Sequence, residues 1–340
     1  MFGIVSQDIA IDLGTANILA YARGRGIVLD EPSVVAITEH QGRRRILAVG
    51  QEAKRMVGRT PGNVRAIRPL RDGVIADFEV AEELIKYVTH KVHRRKRFFS
   101  PRVVVSVPSG ATPVERRAIR EAATAAGASK VYLIDEPMAA AIGAGCPVSD
   151  PVGSMIVDIG GGTTEVAVIS LGGVVLSRSL RVAGDAMDES IQAYLRRAHN
   201  LLVGEETAER IKLEIGSAWP WDNGDERMLE VRGRDVMRGV PLAINVSQRD
   251  IADALGEQVS AIVDVVRTTL EHVPPEVGAD LVEHGILMTG GGALLHNLDL
   301  VLRHATGLPV VTADEPLTSV VRGAGRALEE LQKLGPALED

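Results

Sequence analysis

One cysteine, Cys146, stands in 340 residues, which excludes a disulfide framework and fits a reducing compartment. No apolar run approaches the roughly 20 uninterrupted residues a membrane-spanning helix needs. Met1 to Ile11 lacks the basic start and long apolar stretch of a signal peptide. Basic residues are not in excess: 38 Lys and Arg face 45 Asp and Glu, a net charge of −7, which argues against wholesale nucleic-acid binding. Low-complexity sequence and solenoid repeats are absent. What remains is ordinary globular composition, 45% apolar and 24% charged, in a chain long enough for two domains with full cores. The expectation is a soluble cytoplasmic protein.

Against that background two segments say the same thing. Ile11-Asp12-Leu13-Gly14-Thr15-Ala16-Asn17 and Val157-Asp158-Ile159-Gly160-Gly161-Gly162-Thr163-Thr164-Glu165 each read as a buried strand that delivers an aspartate into a turn of glycines and hydroxyls. A second apolar run follows, as in Val166-Ala167-Val168-Ile169. Glycines let backbone N–H groups approach an anion closely, and the threonines add hydroxyl donors. An aspartate beside phosphate oxygens is repelled unless a hard cation lies between them, so Asp12 and Asp158 imply Mg²⁺ held largely through water. The duplication predicts two similar lobes closing on one nucleotide. A lone glycine-rich turn is a weak signal; two Asp-(Leu/Ile)-Gly turns and a third cluster, Gly290-Gly291-Gly292, are a stronger one.

Strand and helix signals alternate along the chain, the pattern of an α/β fold with largely parallel sheets. Val103–Pro108 is a strand ended by proline. Thr112-Pro113-Val114-Glu115 starts a helix with an N-cap, a proline at the first position and a capping-box glutamate, and Gly127 stops it. Val131–Ile134 is the next strand, feeding Asp135-Glu136-Pro137 and an alanine-rich helix through Ile142, whose small side chains suit close packing. Ser247 with Asp250 caps a long helix to about His272, and Pro274-Pro275 ends it. Ile286–Met288 is a strand entering the third glycine cluster, with a helix from about Ala293. Pro309–Val311 and a helix after Pro316 follow. Residues 32–72, rich in arginine and turn formers, and 187–241, helical and then loop-like around Trp219–Gly224, differ in texture from these units. Each follows one of the phosphate turns and reads as an insertion capping its lobe.

These motifs in this order resemble the actin, Hsp70 and sugar-kinase superfamily and, within it, the MreB family of bacterial actins. Residues 11–17 and 157–166 correspond to the two phosphate motifs, 135–143 and 319–325 to the connecting helices, and 287–294 to the adenosine motif. Ile11–Asn17, Asp135–Ala141 and Thr207–Gly216 carry the closer likeness to MreB. The resemblance covers almost the whole chain. It implies the actin-like (ribonuclease H-like) two-lobed fold: a duplicated α/β core, two small inserted subdomains and a nucleotide cleft between the lobes. The lobe I core would be 1–31 and 73–145 with its insertion at 32–72. Lobe II would be 146–186 and 242–340 with its insertion at 187–241, the C-terminal helix packing back on lobe I.

Carried over residue by residue, the resemblance assigns Gly14, Thr15, Ala16 and Asn17 to one side of the phosphates of ATP, and Gly160, Gly161, Gly162 and Thr163 to the other. Asp12 and Asp158 would organise hydrated Mg²⁺. Glu136 would orient the attacking water with Thr163 assisting, since phosphoryl transfer to water needs a placed nucleophile and charge stabilisation. A carboxylate favoured by the helix dipole alone would look the same. Glu209 and Lys212, three apart on one helix face, would reach the ribose; as an ion pair with each other they would equally be ordinary. Gly290, Gly291, Gly292 and Ala293 would let the adenosine lie against bare backbone.

Between Leu84 and Val114 there is no acidic residue, while Lys86, Lys91, Arg94, Arg95, Lys96, Arg97 and Arg102 fall inside it. Phe98-Phe99, two of the four phenylalanines, sit in its middle. Adjacent aromatics flanked by cations suit an interfacial membrane anchor, the rings at the headgroup boundary and the cations on anionic lipid. A solvated basic face with one ring in the core is the other reading. The resemblance favours the anchor, because MreB proteins carry a hydrophobic pair at this loop. The whole then reads as an ATP-dependent filament former, a homopolymer of paired protofilaments, on the inner face of the cell membrane. Its partners would be membrane-embedded cell-elongation and peptidoglycan-synthesis proteins. A small-molecule kinase of the same superfamily and an actin specialised for organelle positioning are the alternatives.

Overall fold

The computed structural model describes residues 8–40, 43–60, 64–71, 73–93, 100–220 and 227–339. Two five-stranded sheets dominate it, and they share one topology. The first runs, edge to edge, Gly26–Pro32, Asn17–Ala22, Ile9–Leu13, Arg102–Val107 and Lys130–Asp135. The second runs Gly173–Leu180, Thr164–Ser170, Ser154–Ile159, Ile286–Thr289 and Val310–Thr312. In each, three strands form an antiparallel meander and the last two add in parallel. The repeated sequence motif is thus a repeated sheet, and Asp12 and Asp158 occupy equivalent places near the ends of the equivalent strands Ile9–Leu13 and Ser154–Ile159. Both strands are almost wholly buried, as apolar runs in parallel neighbourhoods require.

Between the sheets lie the helices Glu136–Gly143 and Ser319–Glu329, whose Ala139–Ile142, Val320, Ala324, Ala327 and Leu328 form one buried cluster with Ala10, Val104, Ile156 and Ala167 from the two sheets. They meet backbone to backbone. A Cβ on Gly323 would fall 1.7 Å from the Ala139 carbonyl oxygen, and one on Gly143 would fall 1.8 Å from that of Ser319. Only glycine permits this approach, so the two lobes are joined through a crossing of small residues.

Several local signals form as expected. Thr112 caps the helix Pro113–Ala125 in a reciprocal capping box with Glu115, and Ser247 does the same with Asp250 for Gln248–Leu270. Other elements differ. The helix expected from Ala293 is a 3₁₀ turn, Gly291–Leu294; Asn297 then takes a left-handed conformation before the helix Leu298–Thr306. Two glycines weaken helix formation there, and the buried Asn297 amide is drawn instead to Ser217 Oγ at 3.3 Å. The arginine-rich stretch holds a three-stranded sheet of Val35–His40, Arg43–Val49 and Val64–Ile67. The second insertion carries the helix Glu205–Ile215 and an antiparallel pair, Met228–Asp235 with Pro241–Ser247. The loop expected at Trp219–Gly224 lies outside the described residues from 221 on. Among the described residues, no helix is long and apolar enough to cross a membrane.

Candidate functional site

A cavity of about 550 Å³ opens between the lobes, within the range of roughly 300–1,000 Å³ usual for ligand pockets. Both glycine turns line it, with the third cluster, Glu136 and residues from both insertions. The turns face one another across little space: a Cβ on Gly161 would lie 2.8 Å from the Ala16 Cβ. The second turn closes on itself through Gly160 N–H donating to the Thr163 carbonyl at 2.9 Å. It is also tied to the start of the helix Gly184–His199, whose Asp185 N–H donates to the Gly161 carbonyl at 2.8 Å. In the first turn Ser33 Oγ donates to the Gly14 carbonyl at 2.7 Å, and Thr15 Oγ1 accepts from Gly73 N–H at 3.3 Å. Gly290, with φ of 79°, packs against Ile159 and Asp158, which brings the third cluster onto the second turn.

The floor is a concentration of negative charge. Asp12 accepts from Ser106 Oγ at 2.8 Å, and Asp158 from Thr289 Oγ1 at 2.8 Å. Burial raises the Asp12 carboxyl from 3.8 to about 6, with Ser106 opposing and Asp30 adding to the rise. Asp158 goes from 3.8 to about 7, driven by burial, opposed by Thr289 and reinforced by Asp12 and Glu165. Glu136 is held well above the usual carboxylate range, first by burial and then by the charges of Glu165, Asp12, Asp158 and Asp135. Asp12 and Glu136 keep a partial solvent face on the cleft, but protein surrounds them on every other side, so burial still dominates. All donors here are hard oxygens and each carboxylate repels the others, a set that a divalent cation would relieve. Among the described residues, no three acidic, histidine or cysteine groups stand so as to ligate an ion directly. An ion at this floor would therefore be held largely through water and phosphate.

The predicted residues Gly14, Thr15, Ala16, Asn17, Gly160, Gly161, Gly162, Thr163, Glu136, Asp12, Asp158, Glu209, Lys212, Gly290, Gly291 and Gly292 all line this one cavity. Ala293 stands behind the last of them, buried in the core. Glu209 and Lys212 do not pair with each other. Glu209 reaches across the cleft to Lys54, at 2.7 and 3.0 Å, while Lys212 donates to Asp188 at 2.9 Å and to the Gly184 carbonyl at 2.8 Å. Sequence reasoning missed Lys54, Arg68, Asp185 and Asp188. Asp188 is raised to about 6, burial outweighing the attraction of Lys212, and its Oδ1 is buried with no hydrogen-bond partner. The signal for Asp185 and Asp188 in the sequence was the acidic first turns of the helix from Gly184. Arg94, Arg95, Lys96, Arg97, Phe98 and Phe99 lie outside the described residues.

Residues 6–336 match the family model described as MreB/Mbl protein. The cell shape-determining protein MreB of Escherichia coli (strain K12) is 57% identical over 98% of this chain and 96% of its own length. The crystal structure of MreB5 of Spiroplasma citri bound to AMPPNP superposes with a TM-score of 0.90 at 38% identity, covering 97% of this chain and 98% of that one. The same protein bound to ADP gives 0.91 at 39%, with the same coverage. The MamK double helical filament gives 0.80 at 24% identity over 96% of this chain and 99% of that one, a likeness of fold. These superpositions identify the two-lobed architecture as actin-like.

Proposed function

The chain belongs to the MreB/Mbl family, and from that membership we propose that it is an ATP-dependent, filament-forming bacterial actin on the cytoplasmic membrane face, organising cell-wall synthesis and rod shape. One observation carries the nucleotide part: two sheets of identical topology present equivalent Asp-Gly turns that meet across a single cavity. Relatives bound to AMPPNP and ADP support ATP as the ligand. The 57% identity to a cell shape-determining protein favours the shape role over organelle positioning.

In this reading the backbone amides of residues 14–17 and 160–163 cradle the phosphates, with Thr15 and Thr163 adding hydroxyls. Glu209 and Lys212 would reach the ribose hydroxyls, each in competition with its present partner, Lys54 and Asp188 respectively. Gly290 to Ala293 back the adenosine. Mg²⁺, when bound near Asp12 and Asp158, supplies charge neutralisation between carboxylates and phosphates. Glu136 is held above the usual carboxylate range by burial and by the carboxylates around it; it would serve as the base for water once a cation near Asp12 and Asp158 offsets that repulsion and leaves it ionised. Slow hydrolysis then tunes assembly, since the nucleotide touches both lobes and biases their setting. The lobe division at 1–31 with 73–145, 32–72, 146–186 with 242–340, and 187–241 belongs to this reading and is supported by the two sheets and their separate cores.

Glu136→Gln tests the chemistry. Phosphate release from ATP is expected to fall about 100-fold with nucleotide affinity kept; unchanged release would remove Glu136 from the reaction. Membrane attachment rests on the basic Phe98-Phe99 stretch and on avidity along a homopolymer of paired protofilaments, which would bring the chain to membrane-embedded elongation and peptidoglycan-synthesis proteins. Replacing both phenylalanines with serine should abolish binding to anionic liposomes and spare polymerisation; undiminished binding would refute the anchor.

A further inference from the structure

Glu165 is fully buried, does not line the cavity, and enters the site above only as a charge acting on Glu136 and Asp158. It stands directly across the ladder from Asp158. Its Oε1 accepts from Ser179 Oγ at 2.6 Å; its Oε2 accepts from Ser109 N–H at 3.2 Å and also from the Ser109 hydroxyl. Ser179 lies on the neighbouring strand of the same sheet, paired with Glu165 in register. Ser109 belongs to the other lobe, on the turn that follows Arg102–Val107. One carboxylate therefore ties the two lobes together beneath the cleft.

The surroundings of that tie are the working parts of the site. Val107 pairs with Asp135, so the Pro108–Ser109 turn and Glu136 leave the same end of adjacent parallel strands. A Cβ on Gly73 would fall 2.9 Å from both Pro108 Cγ and Thr163 Cγ2, and one on Gly110 would fall 2.9 Å from Ser179 Cβ. The Ser109 turn, the Gly73 loop, Thr163 and Ser179 form one packed knot. Gly73 N–H also donates to Thr15 Oγ1, which links the knot to the first glycine turn.

We propose that Glu165 is a positioning residue for the hydrolytic step: by holding Ser109 and Ser179 at once, it sets the separation between Glu136 on one lobe and Thr163 on the other. The inference rests on the hydrolysis reading above. A charge-assisted acceptor with three donors fixes geometry more firmly than neutral contacts do; a carboxamide loses the charge and holds both serines only if one hydroxyl turns to accept from its NH2 group.

The test measures ATP turnover and, separately, the lobe setting. Glu165→Gln and Ser109→Ala should each lower kcat about 10-fold with KM within about twofold. Ser179→Ala, which leaves both cross-lobe bonds from Ser109 in place where Ser109→Ala keeps only the one from its N–H, should do less. A KM rise matching the kcat fall, a kcat unchanged in both variants, or an effect of Ser179→Ala as large as that of Ser109→Ala would overturn the proposal. If Glu165→Gln does not fold, the two serine variants decide. The lobe setting is read by electron–electron distance measurement between spin labels at the exposed Ala125 and Glu257 on a Cys146→Ser background. The distance distribution should broaden at least twofold in Ser109→Ala; an unchanged width would overturn the proposal. This second reading needs no hydrolysis, so a chain that fails to turn over ATP but broadens refutes the hydrolysis reading and leaves the tie standing.

Discussion

Asp12 and Asp158 end equivalent strands, and burial holds their carboxyls near 6 and 7 instead of 3.8. A carboxyl raised by folding favours the protonated fold. Its contribution is complete below about pH 4 and is lost as pH rises through the folded values, here about 6 and about 7. The ligand-free protein should therefore lose stability from this pair between pH 4 and 7. Asp12→Asn and Asp158→Asn should each be more stable than the parent at pH 8, by roughly 1–3 kcal/mol, with the gain vanishing towards pH 4. Urea midpoints without nucleotide at the two pH values check this; a loss at pH 8 would contradict it. Differences between variant and parent matter, because Asp250 is shifted the other way, its lowered carboxyl losing stability on acidification. The same two variants should lose Mg²⁺-nucleotide binding, so the residues that weaken the empty fold are those that fit the ligand. At this scale much was legible: glycine, threonine and aspartate in the turns have a local reason to be there. The partners of Glu209 and Lys212 were not, because Lys54 and Asp188 come from elsewhere in the chain and only the fold brings them near.

At the scale of elements, the crossing of Glu136–Gly143 with Ser319–Glu329 holds the lobes together. Gly323→Ala places a Cβ 1.7 Å from the Ala139 carbonyl oxygen, which no rotamer relieves. The helices must separate, at a cost of at least about 1–3 kcal/mol. A thermal melt should show the loss. Phosphate release should fall with it, since Glu136 rides on the displaced helix; a variant as stable as the parent would mean that the two helices part at little cost. The helix ends were readable because a capping box is complete within four residues, as at Thr112–Glu115 and Ser247–Asp250. The strands of the insertions were hidden. Arg43–Val49 mixes arginines with apolar residues, and Met228–Asp235 is stabilised by pairing with Pro241–Ser247, a contact no local window contains. The turn at Gly291–Leu294 went astray for the same reason, through Asn297 and its distant partner Ser217.

Across the whole molecule the insertions face each other with opposite charge. Lys54 meets Glu209 at 2.7 Å, Arg59 meets Glu206 at 2.7 Å, and Arg68 meets Asp185 at 2.9 Å and Glu205 at 3.6 Å. Partly or fully exposed pairs of this kind contribute on the order of 1 kcal/mol or less each, so the cleft mouth should be closed by a small margin. Small-angle scattering of the ligand-free chain should report a larger radius of gyration in Arg68→Glu, and recovery in the double variant Arg68→Glu with Asp185→Arg. Added salt should open the parent in the same direction, because partly exposed pairs are screened. A radius insensitive to all three changes would show that the pairs do not close the cleft. A cleft closed by so small a margin is an equilibrium that a ligand spanning both lobes can bias. Sedimentation at increasing protein concentration, with and without Mg²⁺ and ATP, tests the central claim most directly. A pellet should appear above a threshold concentration with Mg²⁺-ATP and be lost in Asp12→Asn with Asp158→Asn. A chain that stays monomeric in every nucleotide state, or releases ADP only when a sugar is added, would contradict it.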